Sequence, residues 1–194
     1  MTTNDKRDFI TIVSGLPRSG TSMMMKMMEA GGVPVLTDHI RTADEDNPKG
    51  YYEFERVKNL KNDKDWLPEA VGKVVKIISF LLFDLPPGYK YRVIFMRRDL
   101  DEVLASQRNM LIRRGEPTDE QNDERMQEIY EKHLKQVAGW MVENPDIQVE
   151  YVDYRDVIAR PRTNAEKVNA LLDGFLDVDA MTHVVDSSLY RQRA

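Results

Sequence analysis

The sequence predicts a three-layer α/β fold, with a mainly parallel central sheet flanked by helices on both sides. Two observations predict it. Short β-branched apolar runs alternate along the chain with segments of helical periodicity, the order expected of parallel strands joined by crossover helices. The first run, Phe9 to Val13, leads into a loop bracketed by Gly15 and Gly20, and then into a stretch free of Pro and Gly, Ser22 to Ala30. Strand, glycine loop and helix N-terminus in that order form an anion site, because free N–H groups and the helix dipole both favour negative charge.

Each element follows from its residues. Phe9-Ile10-Thr11-Ile12-Val13 has the continuous apolar character of a buried parallel strand. Met23, Met24, Met25, Met27 and Met28 make the next helix apolar nearly all round. Such a helix is packed between a sheet and other helices, with Met as adaptable filler rather than ligand. Gly31-Gly32 stops it. Val33 to Leu36 is a short strand candidate. Thr37 to Tyr52 is polar, with a turn signal at Asn47-Pro48-Lys49-Gly50, and a long irregular segment of this kind points to a functional role. Val74 to Ile78 reads as a buried strand, Pro86-Pro87-Gly88 breaks the chain, and Arg92 to Met96 is the next strand. Asp99 with Glu102 has capping-box spacing and opens a helix. Pro117-Thr118 with Gln121 opens another, in which Met126, Ile129, Tyr130, Leu134, Val137, Trp140 and Met141 mark a buried face. His133 lies on that face and is expected to be a packing residue. Ile147 to Val152 is a late strand and Ala165 to Leu172 a further helix. With no repeat or linker, residues 1–194 read as one domain.

Composition narrows the function classes. The 194 residues are 41% hydrophobic and 31% charged, as in soluble globular proteins. Cys is absent, which excludes disulfides, thiolate metal sites and a Cys nucleophile; no metal site is expected. A net charge of −5 argues against a general nucleic-acid binder. No stretch is long and apolar enough to span a membrane, and the first residues lack the apolar core of a signal peptide, so a cytoplasmic location is expected. Oligomeric state is not legible.

The loop Gly15-Leu16-Pro17-Arg18-Ser19-Gly20-Thr21-Ser22 carries the chemistry. A nucleotide-hydrolysing loop reads G-x-x-x-x-G-K-[ST], its Lys reaching the β- and γ-phosphates. Here Thr21 stands at the Lys position and Arg18 lies inside the loop. Such a loop wraps a phosphate but lacks the group that handles a γ-phosphate, so the donor is expected to be neither ATP nor GTP. Farther on, Arg98 at a strand end is followed eight residues later by Ser106 on a helix. A guanidinium fork with a hydroxyl donor suits phosphate oxygens.

Pro17-Arg18-Ser19-Gly20-Thr21-Ser22 and the Arg98–Ser106 pair resemble the two cofactor signatures of the sulfotransferases that use 3′-phosphoadenosine-5′-phosphosulfate (PAPS). The tail Asp186 to Arg193 is similar to those of bacterial sulfotransferase-like proteins. The resemblance covers most of the chain and implies a P-loop fold and sulfuryl transfer to a hydroxyl or amine of a small-molecule, peptide or glycan acceptor. It implies that Pro17 to Ser22 hold the 5′-phosphosulfate, and Arg98 and Ser106 the 3′-phosphate. Arg18, expected to face solvent, stands where many members carry a catalytic Lys, and Lys76 matches the second catalytic Lys.

The chain also departs from the family. One branch places a His base two residues after that Lys; here the position is Ile78. Another uses a Glu beyond the loop helix, and at comparable spacing this chain has Asp38, His39 and Arg41. His39 is a candidate base, and Asp38 serves directly or orients it. Glu53 and Glu55 are the next candidates, and Arg41 and Glu53 are placed on the acceptor side. Two rival readings stay open: a P-loop kinase, which would need a loop Lys and a Mg²⁺-holding Asp, and a non-catalytic nucleotide-binding relative, which the Ile78 departure favours.

Overall fold

The computed structural model describes residues 7–38, 40, 52–117 and 120–186. His39, Arg41, the turn at 47–50, Thr118 and the tail from 187 onward lie outside the described residues.

Four strands form one sheet: β1 (Phe9–Gly15), β2 (Val74–Lys76), β3 (Lys90–Arg97) and β4 (Ile147–Asp153). Their order is β2-β1-β3-β4, and every pairing is parallel. From β1 the chain passes first to β2 on one side and then to β3 on the other. That reversal opens a crevice at the carboxyl ends of β1 and β3, where α/β folds bind ligands. The glycine loop leaves β1 at this point and Arg98 follows β3.

The helices are α1 (Thr21–Ala30), α2 (Leu67–Ala70), α3 (Leu100–Arg113), α4 (Glu120–Glu143), α5 (Tyr154–Ala159), α6 (Pro161–Leu171) and α7 (Val178–His183). Alternation along the strands sends Ile10 and Ile12 to one face of the sheet and Phe9 and Val13 to the other. Met24, Met25, Met27 and Met28 of α1 are fully buried on the second face, with Val168 and Met181 from α6 and α7. The first face is covered by Trp66, Leu67, Val137 and Met141. Helices on both sides of a parallel sheet are the three layers expected.

Several boundaries differ from expectation. Val33 to Leu36 forms one isolated bridge, Val35 to Val74, rather than a strand; Pro34 has no N–H to extend a ladder. The strand expected over Val74 to Ile78 ends at Lys76, and a 3₁₀ turn over Ser79–Asp84 follows. α6 starts four residues before Ala165, because Pro161 is preorganised for the first helical turn. His133 packs as expected. Its ring stacks on Phe80 at 3.8 Å, its Nε2 lies 2.9 Å from Ser79 Oγ, and burial pushes its pKa down.

Candidate anion-binding site

The two loop glycines are required by close approach. Gly15 has φ +145°, and a Cβ there would lie 2.5 Å from Ser19 Oγ and 2.6 Å from the Met96 carbonyl oxygen. Gly20 has φ +97°, and a Cβ there would run into the Tyr154 ring. The loop is thus pressed against the ends of β3 and β4. Ser19 ties it internally, its Oγ donating to the Leu16 carbonyl at 2.7 Å. Gly20 stands at the N-cap of α1 and has no side chain to offer its first turn; N–H groups at such a helix start suit an anion. Pro17 and Ser22 are half-buried, and Thr21 is buried.

Arg18 adopts φ +70°, the left-handed region that costs a non-glycine residue on the order of 1 kcal/mol. Rather than facing open solvent, its side chain is half-buried and turned onto α3, where Nε donates to Ser106 Oγ at 3.0 Å. Arg98 Nη1 in turn donates to the Arg18 carbonyl at 3.0 Å. Residues 80 and 88 positions apart therefore meet at one point.

Arg98 is held by residues that sequence reasoning missed. Arg97 pairs in register with Asp153, so Arg98 is level with Tyr154, and its guanidinium lies 4.5 Å from that ring's centroid. Its Nε donates to Glu102 Oε2 at 2.8 Å. The other Glu102 oxygen accepts from Arg155 Nε at 2.8 Å and Nη2 at 2.6 Å. The side chains of Glu102 and Arg98 are 1% and 7% exposed, whereas Arg155 is 47% exposed. This corrects half of the capping box. Asp99 does cap α3, accepting from the N–H groups of Asp101 and Glu102 at 3.0 and 3.3 Å, but Glu102 turns inward. A nearly buried guanidinium needs a counter-charge more than an exposed helix end needs a second cap. Among the described residues, Glu102 thus pairs with two guanidiniums at once, those of Arg98 and Arg155. The sequence signal for Arg155 was its place two residues past the end of the strand beside β3.

A second cluster lies at the end of β2. Lys76 is level with Val13 of β1, and its Nζ approaches Glu53 Oε1 at 3.7 Å, with side chains 9% and 20% exposed. Thr37 Oγ1 donates to the Glu53 carbonyl at 2.8 Å. Asp38 is bound into the backbone, its carboxylate accepting from the N–H groups of Ile40 at 3.0 Å and Glu55 at 2.6 Å. Burial pushes the Asp38 carboxyl up, but these N–H groups outweigh it and hold the group below its ordinary value. Glu55 pairs with Lys58. Ile78 is partly exposed just beyond Lys76. Among the described residues, Glu53 is seen beside Lys76, whereas Asp38 and Glu55 are engaged elsewhere.

No family model matches the sequence, and no curated protein matches it. Solved structures do. A sulfotransferase from Alicyclobacillus acidocaldarius superposes with a TM-score of 0.53 at 14% identity, over 94% of this chain and 99% of that one. The sulfotransferase domain from the curacin biosynthetic pathway gives a TM-score of 0.53 at 14% identity, over 96% and 92%. Retinol dehydratase, solved with androsterone and the inactive cofactor PAP, gives 0.51 at 16% identity; 92% of this chain aligns with 63% of that one. The chain therefore has the sulfotransferase fold. Among the described residues, no helix is long and apolar enough to cross a membrane.

Proposed function

We propose that this chain transfers a sulfuryl group from PAPS to a hydroxyl or amine acceptor. The observation that carries the reading is the meeting of Arg18, Ser106 and Arg98 beside an α1 N-terminus that has no side-chain cap. A donor bearing a 5′-phosphosulfate and a 3′-phosphate needs two adjoining anion sites, and the loop and the arginine cluster fit them. Retinol dehydratase, which shares the fold, was solved with PAP.

The donor supplies an activated sulfuryl group. The loop N–H groups of residue 18 and residues 20–22 hold its 5′ end, the Ser19 N–H being given to the Leu16 carbonyl. Arg98 and Ser106 take the 3′-phosphate: Ser106 accepts from Arg18 and still has its own hydroxyl proton to donate. In the transfer the acceptor oxygen or nitrogen bonds to sulfur, the bond from sulfur to the bridging oxygen breaks, and the acceptor proton leaves to a base. Arg18 and Lys76 lower the barrier by placing fixed positive charge where negative charge builds. Glu53, 3.7 Å from Lys76, is the proposed base. Asp38 is a poorer one, because both of its carboxylate oxygens already accept from backbone N–H groups. His39 is the alternative base, and Arg41 is assigned to the acceptor side.

Thermal-shift titration tests the donor. Adenosine 3′,5′-bisphosphate should raise the melting temperature and ATP–Mg²⁺ should not; stabilisation by ATP–Mg²⁺ alone refutes the reading. Transfer of radiolabelled sulfate to phenols, sugars and tyrosine peptides tests catalysis, and bisphosphate binding without transfer to any of them identifies a non-catalytic relative. Glu53→Gln against His39→Gln separates the bases.

A further inference from the structure

α4 does not cover the sheet completely. Between its C-terminal half and the carboxyl ends of β3 and β4 lies a cavity of about 450 Å³. Well-packed interiors leave few voids larger than a water molecule, whereas small-molecule sites measure roughly 300–1,000 Å³. Its floor is aromatic: Phe95 and Tyr151 are register neighbours, with ring centroids 5.7 Å apart and edges turned to faces. Its roof is Leu134, Ala138 and Met141 of α4. The loop residues Leu16 and Ser19 also line it.

The charged lining residues are Arg97, Arg98 and Lys135, with Glu131 as the one acid. Arg98 is already engaged by Glu102, but Arg97 and Lys135 are exposed at the mouth. The Arg97 guanidinium lies 5.2 Å from the centroid of the Tyr151 ring. A compact apolar chamber with positive charge at its opening is complementary to a molecule with an apolar body and an acidic head. The aromatic floor and the Met141 thioether favour a flat ring system over a flexible chain, since ring edges, ring faces and sulfur pack well together.

We propose that the cavity under α4 binds a small aromatic acid, its ring against Phe95, Tyr151 and Met141 and its acid group at Arg97 and Lys135. The cavity adjoins the proposed donor site, whose Ser19 and Arg98 also line it, but none of the contacts proposed here is with those two residues, and the reading stands whether or not the chain transfers sulfate.

The test uses the full chain with ¹³C-methyl-labelled Met, titrated with 2-naphthoate at up to millimolar concentration. The Met141 methyl resonance should shift by ring current, while Met28 and Met181, on the opposite face of the sheet, stay in place. The Arg97→Gln/Lys135→Gln variant should bind 2-naphthoate roughly tenfold more weakly, the combined effect of two exposed ion pairs. It should bind the neutral 2-naphthalenemethanol as the parent does. Ala138→Phe, which fills the chamber, should abolish both; if that variant fails to fold, the Met141 shift and the charge variant decide. An unmoved Met141, shifts shared by Met28 and Met181, or a 2-naphthoate affinity indifferent to Arg97 and Lys135 overturns the proposal.

Discussion

Replacing Glu102 by Ala removes one carboxylate from between two arginines of unequal burial, and the inequality sets the expected cost. Arg98 is 7% exposed; taking away the partner of a nearly buried ion pair costs about 3–5 kcal/mol, because the remaining charge stays desolvated. Arg155 is 47% exposed, so water replaces most of what it loses and that arm contributes less than about 1 kcal/mol. A total of about 3–6 kcal/mol, at about 2–4 °C per kcal/mol for a chain of this length, lowers the melting temperature by roughly 6–24 °C. Arg155→Ala, which removes only the exposed arm, should lower it by less than about 3 °C. The double variant Arg98→Met/Glu102→Leu removes both buried charges and fills their space, so it should melt above Glu102→Ala. Circular dichroism melts of the four proteins decide the matter. If Glu102→Ala melts within about 2 °C of the parent, or the double variant melts below it, burial does not set the cost of this cluster.

Four further outcomes are expected. Arg18→Gly relieves a left-handed backbone and so should leave the melting temperature unchanged or raised, while weakening adenosine 3′,5′-bisphosphate at least about tenfold by calorimetry; an unchanged affinity removes Arg18 from the proposed site. Arg98→Ala should weaken adenosine 3′,5′-bisphosphate far more than adenosine 5′-phosphate, and equal weakening of both would show that Arg98 does not read the 3′-phosphate. Gly20→Ala places a methyl in the Tyr154 ring at a φ of +97° and should cost more than about 2 kcal/mol, partly recovered in Gly20→Ala/Tyr154→Ala; equal melts of the two variants would contradict the clash. His133 is held neutral by burial, its pKa pushed below the ordinary 6.5. The unfolded chain therefore binds the proton first as pH falls, so the stability is complete above about pH 6.5 and lost below it. Urea unfolding at pH 7.5 and 5.5 should show the parent losing more stability than His133→Phe, and equal losses would sink the assignment.

Adjacent residues determined much of this molecule. The parallel sheet was legible because β-branched runs alternate with helical stretches. The glycine loop was legible because strand, glycine spacing and helix start lie within about a dozen consecutive residues, and the burial of the Met-rich helix followed from its having no polar face. Arg98 and Ser106 were singled out together because their spacing resembles a sulfotransferase signature that lies on one local strand-to-helix turn. Tertiary structure decided what lies far apart in sequence. The register of β3 against β4 set Arg98 level with Tyr154 and brought Arg155 to Glu102. In sequence Glu102 fits a helix cap, and only the near-burial of Arg98 shows why its carboxylate turns inward: a desolvated cation outbids an exposed N–H. Likewise Asp38 and Glu53 are equivalent carboxylates on paper. The fold sets one against backbone N–H groups and the other beside Lys76, because which charge a carboxylate meets depends on the path of the chain between them, and no local pattern records that path.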